Sequence, residues 1–279
     1  VHDAATAAMT PEARADVVAD SIAAAREKGL RASGMYQTDA SSMAEYEGPT
    51  PYAIANSAGH VAVHERTRAI YSITVEAGGS ASGWAQAGSH RASDLNPVAL
   101  TRSAIDKALA GRDAVEVPAG EVTVLLEPEA VSNLLGFLAE GFSAAALDEG
   151  RSFLTTQGER LLGDNITLTD DVRHPLAFGC PFDREGVPRK AVTLVDRGVH
   201  SGLVHSRASA LRHDVEPTGH GLGIPSTLDS WPASLVLSGG DRRFDELVRE
   251  TPRAILVTRF WYCRLVDKKR VIVTGMTRD

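Results

Sequence analysis

The sequence predicts an α+β protein of two domains, in which antiparallel sheets carry flanking helices. Two segments with capping residues and a helical apolar period enclose a long run of alternating, β-branched segments, and no β-α-β alternation occurs. The stretch Asp113–Gly120 has the composition of a linker. We therefore place a first α+β domain with an antiparallel meander at residues 1–118. A loop-rich second α+β domain, incomplete at its end, follows at residues 119–279.

Both predicted helices of the first domain carry a start signal and a stop signal. Thr10–Pro11 supplies a cap and a favourable first turn, and Gly29 ends the helix. Asn96–Pro97 and Gly111 do the same for the second helix. The apolar faces consist of Val17, Val18, Ile22 and Ala25 in the first helix, and of Leu100, Ala104, Ile105, Ala108 and Leu109 in the second. The alanine-rich first helix is expected to pack closely against a sheet.

Residues 30–90 are predicted to form short strands joined by glycine-rich turns, because apolar and polar side chains alternate there. The strands are expected at Tyr52–Asn56, His60–Glu65, Ala69–Val75 and Gly83–Ala87, with a turn at Asn56–Gly59. This meander is the basis for predicting an antiparallel sheet.

The second domain is predicted to begin with the strand Val122–Leu126 and with a helix that starts at Glu127–Glu129. A loop-rich middle region follows. Asp241 is expected to cap a short helix, and Ile255–Tyr262 with Val271–Thr274 is expected to form a hairpin around a tight turn. Because the sequence stops just after a predicted strand, we expect it to be a fragment of a longer chain.

Composition and charge exclude several classes of protein. With 43% hydrophobic and 23% charged residues, the chain is globular rather than collagenous or disordered. No apolar run approaches the roughly 20 residues of a membrane helix, and Val1–Ala4 shows no signal peptide. The net charge of −7 and the scattered basic residues argue against direct contact with nucleic acid. Cys180 and Cys263 cannot form a disulfide framework, so we predict a cytoplasmic protein without membrane contact.

Histidines are the first candidates for metal ligands. His60 and His64 would share one face of a helix, but the local pattern predicts a strand, in which the rings lie roughly 13 Å apart and cannot bind one metal. Four more histidines fall within 21 residues: His200, His205, His213 and His220. A loop could gather some of them around a metal, although their spacings match no ligand signature. We keep His200, His205 and His220 as weak metal candidates, and favour ordinary structural histidines.

The remaining motifs give no complete catalytic constellation, so no catalytic or cofactor-binding residue is predicted. Gly78–Gly83 fails the spacing of a nucleophile elbow, and Gly219–Gly223 lacks the helix that follows a dinucleotide-binding loop. The acidic pairs Asp170–Asp171 and Asp183 with Glu185 are predicted to be solvated. An oxygen-ligand cation site is the alternative for these pairs.

An ordered series of loop motifs is more informative than any single residue. It consists of Leu126–Val131, Glu149–Ser152, Pro181–Asp183 with Glu185–Gly186, Thr218–Gly221, Arg259–Tyr262, Val266–Asp267 and Thr274–Asp279. In this order and approximate spacing, the motifs resemble those of the TldD/TldE family, also called PmbA or "modulator of DNA gyrase" proteins. The resemblance covers most of the chain, from about Thr10 to Asp279.

The resemblance implies a cytosolic peptidase assembly that cleaves unfolded peptides and processes leader peptides. In such an assembly, a TldD-type subunit binds zinc through a His-Glu-x-x-x-His helix and pairs with a TldE-type subunit that lacks this motif. The corresponding stretch here, Leu135–Glu140 ahead of Gly150–Ser152, contains no histidine. The cysteine ligand of the family would lie beyond Asp279 and is not transferred to Cys263. The resemblance therefore implies a TldE-like chain without a cofactor, whose partner carries the zinc.

Three functions are carried forward. The first is a non-catalytic subunit of a metallopeptidase, paired with a TldD-like chain or with itself, in which a sheet edge could bind unfolded peptide through main-chain hydrogen bonds. The second is a self-sufficient hydrolase with a divergent metal site at His200, His205 or His220. The third is a binding protein that modulates a toxin–antitoxin or gyrase-inhibitor system without proteolysis.

Overall fold

The structure, a computed structural model of the chain, describes residues 1–40, 52–156 and 158–278. Part of the predicted β region, residues 41–51, and the last motif residue, Asp279, lie outside the described residues. The chain divides into two compact units. Unit 1 comprises Val1–Tyr52 and His64–Val122, and unit 2 comprises Ala53–Val63 and Thr123–Arg278. The domain limits at 1–118 and 119–279 stay a prediction.

The N-terminal part of the chain contains three helices and five strands in its described residues. In chain order they are α1 (Ala4–Ala7), α2 (Pro11–Glu27), β1 (Arg31–Ala40), β2 (Tyr52–Ala55), β3 (Val61–His64), β4 (Thr67–Gly78), β5 (Ala81–Ser89) and α3 (Pro97–Ala110). Short 3-10 helices lie at Ala92–Asp94 and Gly111–Asp113. Within the ranges that the structure describes, no helix combines the length and apolar character needed to cross a membrane.

Unit 1 is built on a three-stranded antiparallel sheet in the order β1-β4-β5. Burial alternates along β4, so that Tyr71, Ile73 and Val75 face the core, as the period of two in the sequence requires. The helices α2 and α3 complete this core with the small residues Ala25 and Ala104. The Tyr71 hydroxyl, which is buried with the ring, forms a 3.0 Å hydrogen bond with the Thr101 hydroxyl.

The predicted helix limits of unit 1 are confirmed because they rest on local chemistry. The hydroxyl of Thr10 accepts a hydrogen bond from the backbone N–H of Ala13 at 3.2 Å. The amide oxygen of Asn96 accepts one from Ala99 at 3.0 Å. Each cap satisfies a backbone donor that has no partner in the first turn of a helix. The four predicted strands are also found as β2, β3, β4 and β5, but they do not form one meander: β4 pairs with β1 and β5, whereas β2 and β3 form a sheet of their own.

Unit 2 contains short elements joined by long loops. They are β6 (Val124–Leu126), α4 (Pro128–Leu135), a 3-10 helix (Gly136–Phe142), α5 (Ala144–Asp148), β7 (Leu168–Asp170), β8 (Val192–Asp196), β9 (Val199–His200), α6 (Arg207–His213), β10 (Leu235–Leu237), α7 (Phe244–Glu250), β11 (Ile255–Val257), β12 (Arg259–Asp267) and β13 (Ile272–Arg278). An antiparallel sheet in the order β10-β7-β8-β9 lies next to a core formed by Phe142, Leu168, Leu194, Val195 and Val204. The strands β2 and β3 pair as a separate hairpin.

The predicted C-terminal hairpin is right for β12 and β13, which pair antiparallel, but wrong for Ile255–Val257. This segment instead pairs in parallel with Val124–Leu126 as β11 and β6. After Thr258 the chain leaves β6 and pairs with β13 instead. At this point the backbone N–H of Phe260 donates to the side-chain oxygen of Asn133 at 3.0 Å. A parallel pair between segments so distant in sequence leaves no local signal.

Asp241 does not cap the short helix α7, contrary to prediction. The cap residue is Arg243, whose backbone N–H donates to the carboxylate of Glu246 at 3.1 Å. A glutamate at the third helical position, here Glu246, often makes this contact. With Arg243 as the cap, the helix starts two residues later than a cap at Asp241 would require.

Gly83 allows α3 to pack directly on β5 in unit 1. A Cβ atom at this position would lie 2.6 Å from the backbone nitrogen of Ala108 and 2.7 Å from the Cβ of Lys107. We expect Gly83→Ala to lower the free energy of unfolding by about 1–3 kcal/mol, because the helix must move away from the sheet. The change is measured as the urea midpoint of the full chain, followed by circular dichroism. Gly111→Ala is the matched control, since its Cβ would meet Ala81 at an ordinary 3.6 Å; equal midpoints for the two variants would contradict this packing.

Candidate functional site

Two loops of unit 2 carry motifs from the ordered series, and one buried carboxylate joins them. We call Pro181–Arg189 the first motif loop and Thr218–Gly223 the second motif loop. Asp183, only 2% exposed, accepts hydrogen bonds through Oδ1 from the backbone N–H groups of Glu185 and Val187, both at 2.9 Å. Its Oδ2 accepts from the N–H of Gly221 at 2.7 Å. The same side chain therefore shapes the first loop and fastens the second loop to it.

Glycines let the two motif loops approach each other closely. Gly219 has a φ of +76°, in the left-handed region, and a Cβ there would lie 2.7 Å from the Cα of Arg189. A Cβ on Gly221 would collide with the carboxylate of Glu185. That carboxylate accepts a hydrogen bond from the backbone N–H of Arg207 at 2.8 Å, which ties the first motif loop to the start of α6.

His220 in the second motif loop is fully buried, and both of its ring nitrogens are bonded. Nε2 lies 2.8 Å from Oδ1 of Asp170, and Nδ1 lies 2.9 Å from the hydroxyl of Thr218. The second oxygen of Asp170 accepts from the backbone N–H of Ser234 at 2.6 Å. Because a carboxylate can only accept, Nε2 carries the proton in this pair. The arrangement is typical of a structural histidine that connects the second motif loop to β7.

The other two histidine candidates lie in separate surroundings. His200 on β9 is buried against the ring of Phe142, and its Nε2 lies 3.2 Å from the carbonyl oxygen of Gly202. His205 is buried at the start of the segment that leads into α6, with the ring of His213 at 5.2 Å. Burial first, and then the neighbouring His213, hold the pKa of His205 below its ordinary value. The described ranges contain no group of three or more His, Cys, Asp or Glu that could hold a metal ion. The role of His200, His205 and His220 as weak metal candidates stays a prediction.

The structure also tests the predicted solvation of the acidic pairs and the predicted strand at His60 and His64. The predicted solvation of the acidic pairs is wrong for Asp170 and Asp183, because backbone N–H groups and His220 replace water around their oxygens. The strand prediction for His60 and His64 is confirmed for His64, at the end of β3, whereas His60 precedes the strand.

A shallow apolar groove of about 580 Å³ lies beside the first motif loop. His60 lines it together with Val187, Arg207, Leu211 and Pro217. His64, in contrast, belongs to unit 1, where burial holds its pKa below the ordinary value.

The stretch Leu135–Glu140 ends α4 and continues into the 3-10 helix. Its one acidic residue, Glu140, is paired with two cations: Oε1 accepts from Arg151 at 2.5 Å and Oε2 from Lys268 at 2.8 Å. Burial alone would raise the pKa of Glu140, but the pairs with Lys268 and Arg151 outweigh it and hold the pKa below its ordinary value. The hydroxyl of Ser152 donates to the carbonyl of Gly141 at 2.6 Å, so the Glu149–Ser152 motif is fixed against the same stretch.

This stretch does not fit a zinc ion. Zinc in a hydrolase needs about three protein ligands, mostly histidine, cysteine or carboxylate. Leu135–Glu140 offers only the carboxylate of Glu140, and both of its oxygens bond to cationic side chains. We therefore derive no step through a metal at this position.

Comparison with known families identifies the chain. The model of the PmbA/TldA metallopeptidase C-terminal domain matches residues 119–278, and the model of the central domain of the same family matches residues 6–112. The chain belongs to this metallopeptidase family. The resemblance of the ordered motifs to TldD/TldE proteins is thereby confirmed.

Individual relatives agree with this membership. A metalloprotease of Methanocaldococcus jannaschii is 31% identical over 170 residues, which cover 58% of this chain and 37% of the relative. A solved structure described as a modulator of a DNA gyrase from Thermotoga maritima has a TM-score of 0.78 at 20% identity, over 93% of this chain and 59% of that one. TldE from Thermococcus kodakarensis has a TM-score of 0.77 at 21% identity, over 95% of this chain and 60% of that one. These likenesses confirm the α+β fold, and the chain spans less than two thirds of each relative.

The Asp183 contacts predict a large loss of stability in Asp183→Asn. Both carboxylate oxygens accept backbone N–H groups, so an asparagine must turn its own NH₂ group toward at least one donor. We expect a loss of about 1.5–3 kcal/mol and faster hydrogen exchange at the Gly221 amide. Asp171→Asn is the matched control, since Asp171 accepts one backbone N–H, that of Arg173, which an amide oxygen can replace. Unchanged exchange at Gly221 would contradict the role given to Asp183.

The Glu140 pairs predict a pH-dependent contribution to stability. Folding lowers the pKa of Glu140, so the pairs stabilise the folded state at pH values above the unfolded-state pKa of about 4.3. This stabilisation is lost as the pH falls through the folded-state pKa. We expect Glu140→Gln to lower the free energy of unfolding by about 1–2 kcal/mol at pH 7. The difference from the wild type should shrink below pH of about 4. Thermal unfolding across pH measures it, with the exposed Glu216→Gln as control; a difference that is independent of pH would contradict the pairing.

Proposed function

We propose that this chain is a TldE-like subunit of a metallopeptidase, which supports peptide cleavage by a TldD-like partner without holding the catalytic metal itself. The observation that carries the proposal is the secondary structure of Leu135–Glu140 together with the ion pairs of Glu140. Where the family resemblance places a zinc helix, this chain has a short α-helical end, a 3-10 helix and a carboxylate paired with Arg151 and Lys268. Such a carboxylate is not available as a metal ligand or as a general base.

The comparisons support this proposal at the level of the family. The fold is shared with TldE from Thermococcus kodakarensis, and the curated relatives include metalloproteases. A chain with this fold that lacks the metal helix fits the partner role better than the catalytic one. Unfolded or leader peptides in the cytoplasm are the proposed substrates of the pair, and the zinc belongs to the partner.

The buried polar contacts of the motif loops give the same indication. Asp170, Asp183 and His220 are the residues that sequence chemistry would first test for acid–base roles, and all three are bonded within the protein interior. They hold loops in place and present no reactive group at a surface. These contacts support the proposal that the partner supplies the chemistry of peptide hydrolysis.

Co-purification with metal analysis tests the proposal. The full-length protein is co-expressed with a sibling that carries His-Glu-x-x-x-His, and zinc and cleavage of an unfolded peptide are measured for the pair and for each chain alone. We expect about one zinc per pair, bound by the sibling, and cleavage by the pair that is lost when the motif histidines of the sibling are replaced. His200→Gln and His205→Gln in this chain should leave cleavage by the pair unchanged.

Two outcomes would contradict the proposal and favour the other functions. If this chain alone binds stoichiometric zinc and cleaves peptide, and loses both in His200→Gln or His205→Gln, it is a self-sufficient hydrolase. If its function in cells persists after the metal motif of the sibling is destroyed, it acts by binding without proteolysis.

A further inference from the structure

Arg189, at the end of the first motif loop, is a buried cation without a counter-ion. The residue is 6% exposed, and its Nε and Nη1 atoms have no hydrogen-bond partner among the residues that the structure describes. Arginine keeps its charge at every physiological pH, so it cannot adapt to burial by losing a proton. A buried charge without a partner is strongly destabilising, which makes this position exceptional.

The nearby carboxylates of unit 2 make their hydrogen bonds with groups other than Arg189. Asp183 and Asp170 accept hydrogen bonds through both of their oxygens, and Oε2 of Glu185 accepts from a backbone N–H at the start of α6. Among the described residues, none of these carboxylates forms an ion pair with Arg189. Asp229 has a buried oxygen without a partner, but no ion pair joins it to Arg189 in the described part of the chain. In the described part of the chain, the guanidinium of Arg189 therefore forms no ion pair with an acidic side chain.

The backbone around Arg189 is fixed by both motif loops. Its N–H donates to the carbonyl oxygen of Pro181 at 2.9 Å, and the next N–H, that of Lys190, donates to the carbonyl of Thr218 at 3.0 Å. The close approach of Gly219 to the Cα of Arg189 leaves no room for a side chain at that glycine. The backbone from which the Arg189 side chain extends is thus fixed, and a fixed backbone lowers the cost of ordering a binding group.

We propose that Arg189 is the anchoring cation of a small anion-binding site at the junction of the two motif loops, and that its ligand is a carboxylate. The planar guanidinium matches the geometry of a carboxylate and forms short, charge-assisted hydrogen bonds with it. The small exposed fraction of Arg189 selects a compact ligand such as the carboxylate of a small acid. This site is distinct from the partner role proposed above and does not depend on it.

Thermal unfolding of the full chain in acetate tests the site. Sodium acetate replaces sodium chloride at constant ionic strength, for the wild type, Arg189→Met and the exposed control Arg173→Met. We expect a saturable rise of Tm with acetate in the wild type and the control, because a ligand that binds only the folded state stabilises it by mass action. Arg189→Met should unfold in chloride at or above the wild-type Tm and should not respond to acetate, since an apolar side chain of similar volume tolerates this burial.

Carbon-13 acetate binding gives a second measurement that needs no Arg189 variant. Saturable line broadening of labelled acetate by the wild type, with displacement by unlabelled acetate, is the expected result. The site would be overturned if acetate raised the Tm of the wild type no more than the Tm of Arg189→Met. Line broadening that does not saturate would overturn it as well, and either result would indicate that water alone solvates Arg189. Inorganic phosphate is the parallel probe, and a response to phosphate without one to acetate would overturn the carboxylate assignment.

Discussion

The Asp183 carboxylate is the constraint on which the motif region of unit 2 depends. Its oxygens accept two N–H groups from its own loop and one from Gly221, which lies 38 residues further along the chain. A charged acceptor in the interior is stable only when such donors surround it, and the donors are held only while the carboxylate is present. The close approach of Gly219, the bonds of His220 and the backbone contacts of Arg189 lie in the same two loops that Asp183 joins.

Asp183 and Glu140 show two ways of burying an acid. Asp183 is neutralised by backbone N–H dipoles, which fix the course of the loops. Glu140 is neutralised by Arg151 and Lys268, which bring a motif turn and the tip of the C-terminal hairpin to the end of α4. In both cases the motif residues turn their polar atoms inward. The ordered motifs that reveal the family therefore record how this unit folds, and they do not by themselves mark a reactive centre.

What could be predicted from the sequence is what local chemistry decides. The caps at Thr10 and Asn96 and the alternation along β4 act over a few residues, and the two helices and this strand follow from them. The parallel pairing of Ile255–Val257 and the burial of Asp183 depend on partners far along the chain. Such partners leave no periodic pattern in the sequence. From the sequence, a pair of acids in a loop is predicted to be solvated, and only the fold shows that backbone donors replace the water around Asp183.

The two units differ in whether their buried polar side-chain atoms all have hydrogen-bond partners. In the described residues, every buried side-chain nitrogen or oxygen without a hydrogen bond belongs to unit 2, at Arg189, His200, His205, Asp229 and Ser234. The core of unit 1 is closed by small apolar residues and by hydroxyl pairs such as Tyr71 with Thr101, so its polar groups are satisfied. Unsatisfied buried groups cost stability, and a ligand, a reaction, an ordered water or local strain accounts for them in folded proteins. Within the described residues, the buried polar atoms that are still free to bond therefore all lie in unit 2, with Arg189 at the end of the first motif loop.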